Sequence, residues 1–218
     1  EEHNQAIDYG IDFYAPQTVL TPDGRRIMVG WMQNWDTCNL YTFKEPWFGQ
    51  MSLPREFSVM DGWLIQKPIR ELEELRHDKV AYENVTLKDT TIRLDGINGR
   101  RVEKQLTLRP GDDQKLYQKF WIRFAQDEKY FTSLSFRPHE SLLKVDRKFS
   151  GSRRAIIHQR RSLVRSEKGQ IKLRIILDNF SMEVFVNDGE HVMAATVHTD
   201  LSADGISFVA DGAVTMDI

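Results

Sequence analysis

Short runs of alternating apolar and polar residues, each closed by a turn signal, constrain this chain more than any other feature. "FYAPQTVL" runs into the turn "TPDG" and returns as "RRIMVGWM". "MSLPREFSVM" meets Asp61-Gly62 and returns as "WLIQKP". "SMEVFV" meets Asn187-Asp188-Gly189 and returns through "EHVMAATV". Asp-Gly and Asn-Asp-Gly sequences supply the left-handed backbone that tight hairpins need, so each of these units reads as two antiparallel strands.

The same pattern fills the second half. "RVEKQLTL", "KLYQKFWIRF", "YFTSLSF", "RAIIHQR", "IKLRIILD", "MEVFVNDG" and "ISFVADGAVTMDI" alternate or carry β-branched runs, separated by loops such as "RPGDDQ" and "FSGSRR". Many short strands at regular intervals predict a two-sheet sandwich. In "SMEVFVNDG", Val184 and Val186 fall on one face, with Glu183, Phe185 and Asn187 on the other. One segment breaks the β pattern. In "PIRELEELR", Ile69, Leu72 and Leu75 recur every three residues, and Pro68 suits a first helical turn, which predicts a short linker helix. The expected organisation is therefore an incomplete β-unit over residues 1–65, a linker with a short helix over 66–79, and a β-sandwich over 80–218. The first unit lacks a second layer with which to bury a core by itself.

Charge and cysteine content exclude several functions. The formal charge is -2, which gives no electrostatic reason for nucleic-acid or membrane partners. Cys38 is the single cysteine, so an internal disulfide framework and a cysteine-based zinc site are both ruled out. The histidines, among them His158, His191 and His198, show no metal-like spacing and read as satisfied or surface groups. "RRSLVR", with Arg153 and Arg154 nearby, reads as a solvated basic face. A reducing compartment fits, with the cytoplasm slightly favoured, but so does secretion without disulfides.

The segments "DYGIDFYAPQ", "PDGRRIMVGWMQNW", "SLPREF", "KPIRELEELR" and "LDNFSMEVFVNDGE", in this order, resemble glycoside hydrolase family 32. That resemblance covers nearly the whole chain. It implies an all-β fold: the last strands of a five-bladed β-propeller, a short linker helix and a lectin-like C-terminal sandwich. It also implies retaining hydrolysis of β-fructosides such as sucrose, sucrose 6-phosphate or fructan, with no cofactor. In such a reaction one carboxylate attacks the anomeric carbon while a second protonates the leaving oxygen and later activates water. The family's Asn-Asp-Pro-Asn, Arg-Asp-Pro and Glu-Cys motifs, which carry the nucleophile, stabiliser and acid/base, are absent from this sequence. Only seven residues precede Asp8, so the expectation is a C-terminal part that is inactive alone and completed by a missing N-terminal propeller part.

Carried over by motif position, the resemblance assigns no catalytic residue and three substrate-binding ones: Trp35, Tyr14 and Asp12. Trp35 is the sugar platform, Trp31 the lesser candidate and otherwise a core residue. Asp12 and Tyr14 have two open readings, lining the pocket or anchoring neighbouring strands. Asp8 and Gly10 read as turn-shaping, and Arg55-Glu56 as an internal ion pair between the two units. Phe13, Ile27, Val29 and Trp31 should leave apolar surface exposed unless something covers it. Two other functions remain open for the sandwich: a fructan-binding module, with Trp121 or Phe120 but not both exposed, or a purely structural or oligomerisation role.

Overall fold

The computed structural model describes residues 4–35, 49–151 and 157–218. Cys38, Arg153 and Arg154 lie outside the described residues. Two antiparallel hairpins form the first sheet, in the order β1 (Tyr14–Leu20), β2 (Arg26–Trp31), β3 (Arg55–Met60), β4 (Trp63–Pro68). The Asp61-Gly62 turn is a two-residue connection, Met60 pairing with Trp63, and both turn residues sit in the left-handed region at φ 51° and 80°. This backbone twist matches that of the strands it joins. The first hairpin closes over Thr21–Arg25, where Gly24 takes φ 85° and the Thr21 hydroxyl donates to Asp23 at 2.5 Å.

The expected linker helix is a 3-10 helix over Arg70–Leu75. A repeat of three matches the 3.0 residues per turn of that helix rather than the 3.6 of an α-helix. Pro68 does not open it. Pro68 ends β4 opposite Arg55, and Ile69 follows in extended conformation. No residue of the apolar stripe is fully buried: Ile69 and Leu72 are half-buried and Leu75 is 71% exposed. Charge holds the segment instead: Arg25 to Glu71 at 2.6 Å, Arg70 to Glu56 at 2.7 Å, and Arg76 to Glu103 at 2.6 Å.

The second sheet has ten strands: β5 (Val85–Ile92), β6 (Val102–Pro110), β7 (Lys119–Gln126), β8 (Thr132–Arg137), β9 (Leu142–Asp146), β10 (Gln159–Leu163), β11 (Ile171–Asp178), β12 (Ser181–Val186), β13 (His191–Thr196) and β14 (Gly205–Asp217). Their order is β10-β9-β8-β7-β14-β6-β11-β12-β13, with β5 on the other side of β14. The long β14 joins the two halves. Its first part pairs with β7, a register shift follows between Ala210 and Ala213, and its last residues pair with β6. The sheet curls there, and a single apolar core fills the space between its halves. Phe120, Ile122, Phe124, Leu134 and Val145 come from one half, and Leu106, Leu173, Ile175, Val184 and Met193 from the other. Neither β5 nor β9 is among the strands expected from sequence.

β12 carries both of its faces into protein. Val184 and Val186 enter the sandwich core as expected, but Glu183 and Phe185 are also buried, at 1% and 2% exposure. On β13, Val192 and Ala194 are buried opposite the core residues Met193 and Ala195. The covering layer is the first sheet together with the segment that leads into it.

Candidate functional site

Residues 8–10 are half-buried, and Ile11 and Asp12 are buried. They lie along β13, with the Tyr9 amide donating to the Val192 carbonyl at 2.9 Å and the Ile11 amide to that of Ala194 at 2.8 Å. Gly10 makes this approach possible, because a Cβ there would stand 2.0 Å from the Ala194 oxygen. Asp8 does shape a turn, its Oδ1 accepting from the Gly10 amide at 2.7 Å, and it also accepts from the Ala194 amide at 3.0 Å.

Its second oxygen enters a buried ionic cluster. Arg55 Nη2 donates to Asp8 Oδ2 at 2.8 Å and to Glu183 Oε2 at 2.7 Å, while Arg55 Nε donates to Glu183 Oε2 at 3.0 Å. Glu183 Oε1 accepts from the Leu53 amide at 2.5 Å. Two rings enclose the cation, Phe13 at 4.6 Å and Phe185 at 5.7 Å. Burial pushes the carboxyls of Asp8 and Glu183 above the ordinary range, against the pull of Arg55. Arg55 thus bridges the two sheets, but its partners are Glu183 and Asp8, not its neighbour. Glu56 points the other way, as adjacent strand residues must, and pairs with Arg70 and Arg25. The Arg70 hydrogen bond holds the Glu56 carboxyl down to about 2.

A second buried cluster lies under the predicted substrate residues. Asp12 is fully buried, and its Oδ2 accepts from Arg147 Nη1 at 2.5 Å, the Thr196 amide at 2.7 Å and the Thr196 hydroxyl at 2.9 Å. Its Oδ1 accepts from the Asn34 side-chain amide. The next residue after Asn34 is Trp35, 77% exposed, and its ring meets that of Tyr14 edge-on with centroids 5.4 Å apart. Tyr14 opens β1 at a bulge, where Ala15 takes φ 46° and the register shifts between Tyr14 and Gln17. Such bulges re-aim a side chain at the end of a strand. All three predicted residues therefore gather at one place. Tyr14 and Trp35 present ring surface outward, while Asp12 sits beneath them with both oxygens occupied by protein donors.

Of the four residues expected to leave apolar surface, Trp31 is exposed and Val29 half-buried. Ile27 is buried and Phe13 packs beneath Arg55, whereas Val19, Leu20, Val59 and Met60 stand exposed on the first sheet. Trp31, otherwise read as core, remains 38% exposed on β2. Val19 and Leu20, like Val59 and Met60, are strand neighbours on opposite faces, so both faces of the sheet are open at these positions among the described residues.

Two histidines line the boundary between the sheets. His191 stacks on Tyr9 at 3.7 Å, and its Nε2 lies 2.6 Å from the Ser162 hydroxyl. Burial lowers its pKa to about 4. His198, whose Nε2 is 3.3 Å from the Thr196 hydroxyl, is lowered to about 4 by burial and by the charge of Arg147. Among the described residues, no group of three or more His, Cys, Asp or Glu side chains is arranged to hold a metal ion. On the sandwich, Phe120 is in the core and Trp121 lies on the outer face, with Lys119 Nζ 4.2 Å over its ring. That cation occupies a face on which a sugar would stack. A shallow depression of about 440 Å³, lined by Arg100, Arg101, Asn179 and Asp204, is separate from all these residues.

Arg147 and Thr196 were not among the residues singled out from sequence. Arg147 stands in "DRKFSGSRR" as one of several basic residues, with no local feature to set it apart.

Comparison with known proteins gives a consistent result. Residues 1–68 match the family description "Glycosyl hydrolases family 32 N-terminal domain", and residues 71–218 match "Glycosyl hydrolases family 32 C terminal". A probable sucrose-6-phosphate hydrolase of Psychromonas ingrahamii is 36% identical over 207 residues, which is 95% of this chain and 35% of that protein. The structure of sucrose-6-phosphate hydrolase from Lactobacillus gasseri superposes with a TM-score of 0.76 at 26% identity, covering 97% of this chain and 41% of that one. Fructan 1-exohydrolase IIa from Cichorium intybus, solved in complex with 1-kestose, shares the fold with a TM-score of 0.82 at 20% identity, covering 96% of this chain and 48% of that one. The chain spans between about a third and a half of the length of these proteins.

Proposed function

Because the chain belongs to glycoside hydrolase family 32, we propose that it forms the C-terminal part of a β-fructosidase acting on sucrose, sucrose 6-phosphate or a fructan. In this reading residues 1–65 are the closing blade of the catalytic propeller, 66–79 the linker and 80–218 the sandwich that packs on the blade. The observation that carries it is the Tyr14–Trp35 pair, two exposed rings 5.4 Å apart above a fully anchored Asp12.

These rings offer apolar area to the C–H face of a fructosyl unit, and the Tyr14 hydroxyl can exchange hydrogen bonds with a sugar hydroxyl. The wall holds the sugar while carboxylates elsewhere perform the displacement. One displaces the leaving oxygen at the anomeric carbon as the other gives that oxygen a proton. Water, deprotonated by the second carboxylate, then cleaves the sugar–enzyme ester and returns both groups to their starting state. None of the three motifs that bear those acids occurs in the sequence, so the covalent route is closed to this chain alone.

Two measurements test the reading. The purified chain should release no glucose from sucrose; activity that survives repurification would overturn the proposed division of labour. A chimera joining the preceding part of the Psychromonas ingrahamii protein to this chain should hydrolyse a β-fructoside. In that chimera Trp35→Ala should raise KM roughly tenfold or more, the scale of losing an aromatic platform. An active chimera indifferent to Trp35→Ala and Tyr14→Ala would remove the wall from the proposal.

A further inference from the structure

Building on this reading of the Tyr14–Trp35 wall, we infer that Arg147, a residue of the sandwich, is a positioning residue for substrate binding on the first sheet. The sandwich then does more than pack against the blade. It sets the angle between the two rings.

The chain of contacts is short, and its central link from Arg147 to Asp12 is buried. Arg147 follows β9, and its own backbone is fixed at both ends. Its amide donates to the His158 carbonyl at 2.8 Å, and its carbonyl accepts from the Ser150 hydroxyl at 2.7 Å. Its guanidinium spreads over three acceptors: Asp12 Oδ2 and Thr196 Oγ1, each at 2.5 Å, and the Ile157 carbonyl at 3.3 Å. With the fork fixed, the Asp12 carboxylate has one orientation. That orientation presents Oδ1 to the Asn34 side chain. Asp12 is two residues before Tyr14, and Asn34 is one before Trp35. One carboxylate thus ties the start of β1 to the segment after β2, at the point where the two rings meet. Strand pairing also ties Tyr14 to Trp31 on β2, with a register shift beyond it between Tyr14 and Gln17, but it is the Asp12–Asn34 contact that reaches the neighbour of Trp35.

Arg147 touches no sugar in this arrangement. Its effect passes through Asp12 and Asn34 to the rings, so it should appear in substrate affinity and not in the chemical step. A lysine would keep the charge but present a single point of contact where Arg147 divides its donors among three acceptors. Arg147→Lys is therefore expected to rescue only part of the effect of Arg147→Gln.

The test uses the chain labelled with 5-fluorotryptophan and read by ¹⁹F NMR, with Trp35 and Trp121 identified by their phenylalanine replacements. Arg147→Gln should move the Trp35 resonance and leave that of Trp121, on the far face of β7, in place. Arg147→Lys should move it less. Since Arg147→Gln leaves the Asp12 charge buried, the neutral pair Asp12→Asn with Arg147→Gln is measured beside it; that pair should retain the Trp121 signal and still displace that of Trp35. In the chimera, Arg147→Gln should raise KM roughly tenfold with kcat within about twofold. A Trp35 resonance unmoved in the neutral pair overturns the inference, as does an unchanged KM. Loss of the Trp121 signal in every variant also overturns it, because Arg147 would then be holding the fold and not the wall. An inactive parent chimera would count against the proposed function, while the NMR result would still decide the role of Arg147.

Discussion

Replacing Arg55 with methionine should be among the most damaging single changes available to this chain, and the damage should depend on pH. Arg55 is fully buried between Asp8 and Glu183, which are 1% and 2% exposed in their side chains. Methionine fills similar space but leaves two carboxylates together without a cation. Breaking a buried ion pair from one side costs about 3–5 kcal/mol, which for a chain of this size corresponds to a fall in Tm of roughly 6–20 °C. Asp8 and Glu183 already bind protons more readily in the fold than in the unfolded chain. The stability tied to that difference is complete below their unfolded values and is lost as pH rises through the raised ones. Removing Arg55 removes the charge that was lowering both groups, so the variant's deficit should widen from about pH 4.5 to about pH 7.5. Urea unfolding followed by tryptophan fluorescence at both pH values measures it. The neutral triple variant, Asp8→Asn, Arg55→Met and Glu183→Gln, should recover most of the loss, since well-packed neutral groups replace a buried ion cluster at little cost. A deficit below about 1 kcal/mol, or one equal at both pH values, would refute the claim that this cluster couples the two sheets.

The histidines at the same boundary should act in the opposite direction. His191 and His198, each lowered to about 4 by burial, favour the fold while neutral, so their contribution is present above the usual histidine value and lost as pH falls toward 4. His191→Gln with His198→Gln should flatten the fall in Tm over that interval, which thermal scans across the range would register; an unchanged slope would dismiss both as its source. Gly10→Val should be far worse than its place outside any strand suggests, because the new Cβ would lie 2.0 Å from the Ala194 oxygen. Overpacking of this kind costs ~1–3 kcal/mol or more, and amide exchange should speed up at Ile11 and Asp12 if residues 8–12 lift from β13. Equal exchange in the variant would mean that the segment is held elsewhere.

What could be read from sequence was what is decided locally. The Asp61-Gly62 and Asn187-Asp188-Gly189 turns carry their left-handed backbone in the residue types themselves, and the structure has positive φ at all five positions. The alternation of "IKLRIILD" likewise survives folding, with Ile171, Leu173, Ile175 and Leu177 in the core. β5 escaped notice because it is "VTLKDTTI", a strand with a polar centre that buries Leu87 alone. Its pairing with β14 is settled by a partner more than a hundred residues away. The linker shows the same limit from the other side. A three-residue apolar spacing predicted a helix there, yet ion pairs hold the segment, with Leu72 half-buried and Leu75 exposed.

The site divides in the same way. "DFYA" and "GWMQNW" marked Asp12, Tyr14 and Trp35, and the fold gathers them, but nothing local says that Asp12 is anchored by a residue 135 positions later. One clue to the long-range architecture was present and misassigned. Arg55 was paired with Glu56, although neighbours on a strand face opposite ways, and a charge inside "SMEVFV" was left without a partner. A carboxylate in the middle of a buried strand must find a cation or a set of amides. Glu183 finds both, in Arg55 and the Leu53 amide. Its presence on the face opposite Val184 therefore implied a second layer over β12, and hence a first sheet docked on the sandwich. The same logic explains why the acidic opening segment turns inward. Asp8 is the second carboxylate on Arg55 in that layer and Asp12 pairs with Arg147 in the cluster beside it, so the rings of Tyr14 and Trp35 inherit their position from contacts made on the sandwich side.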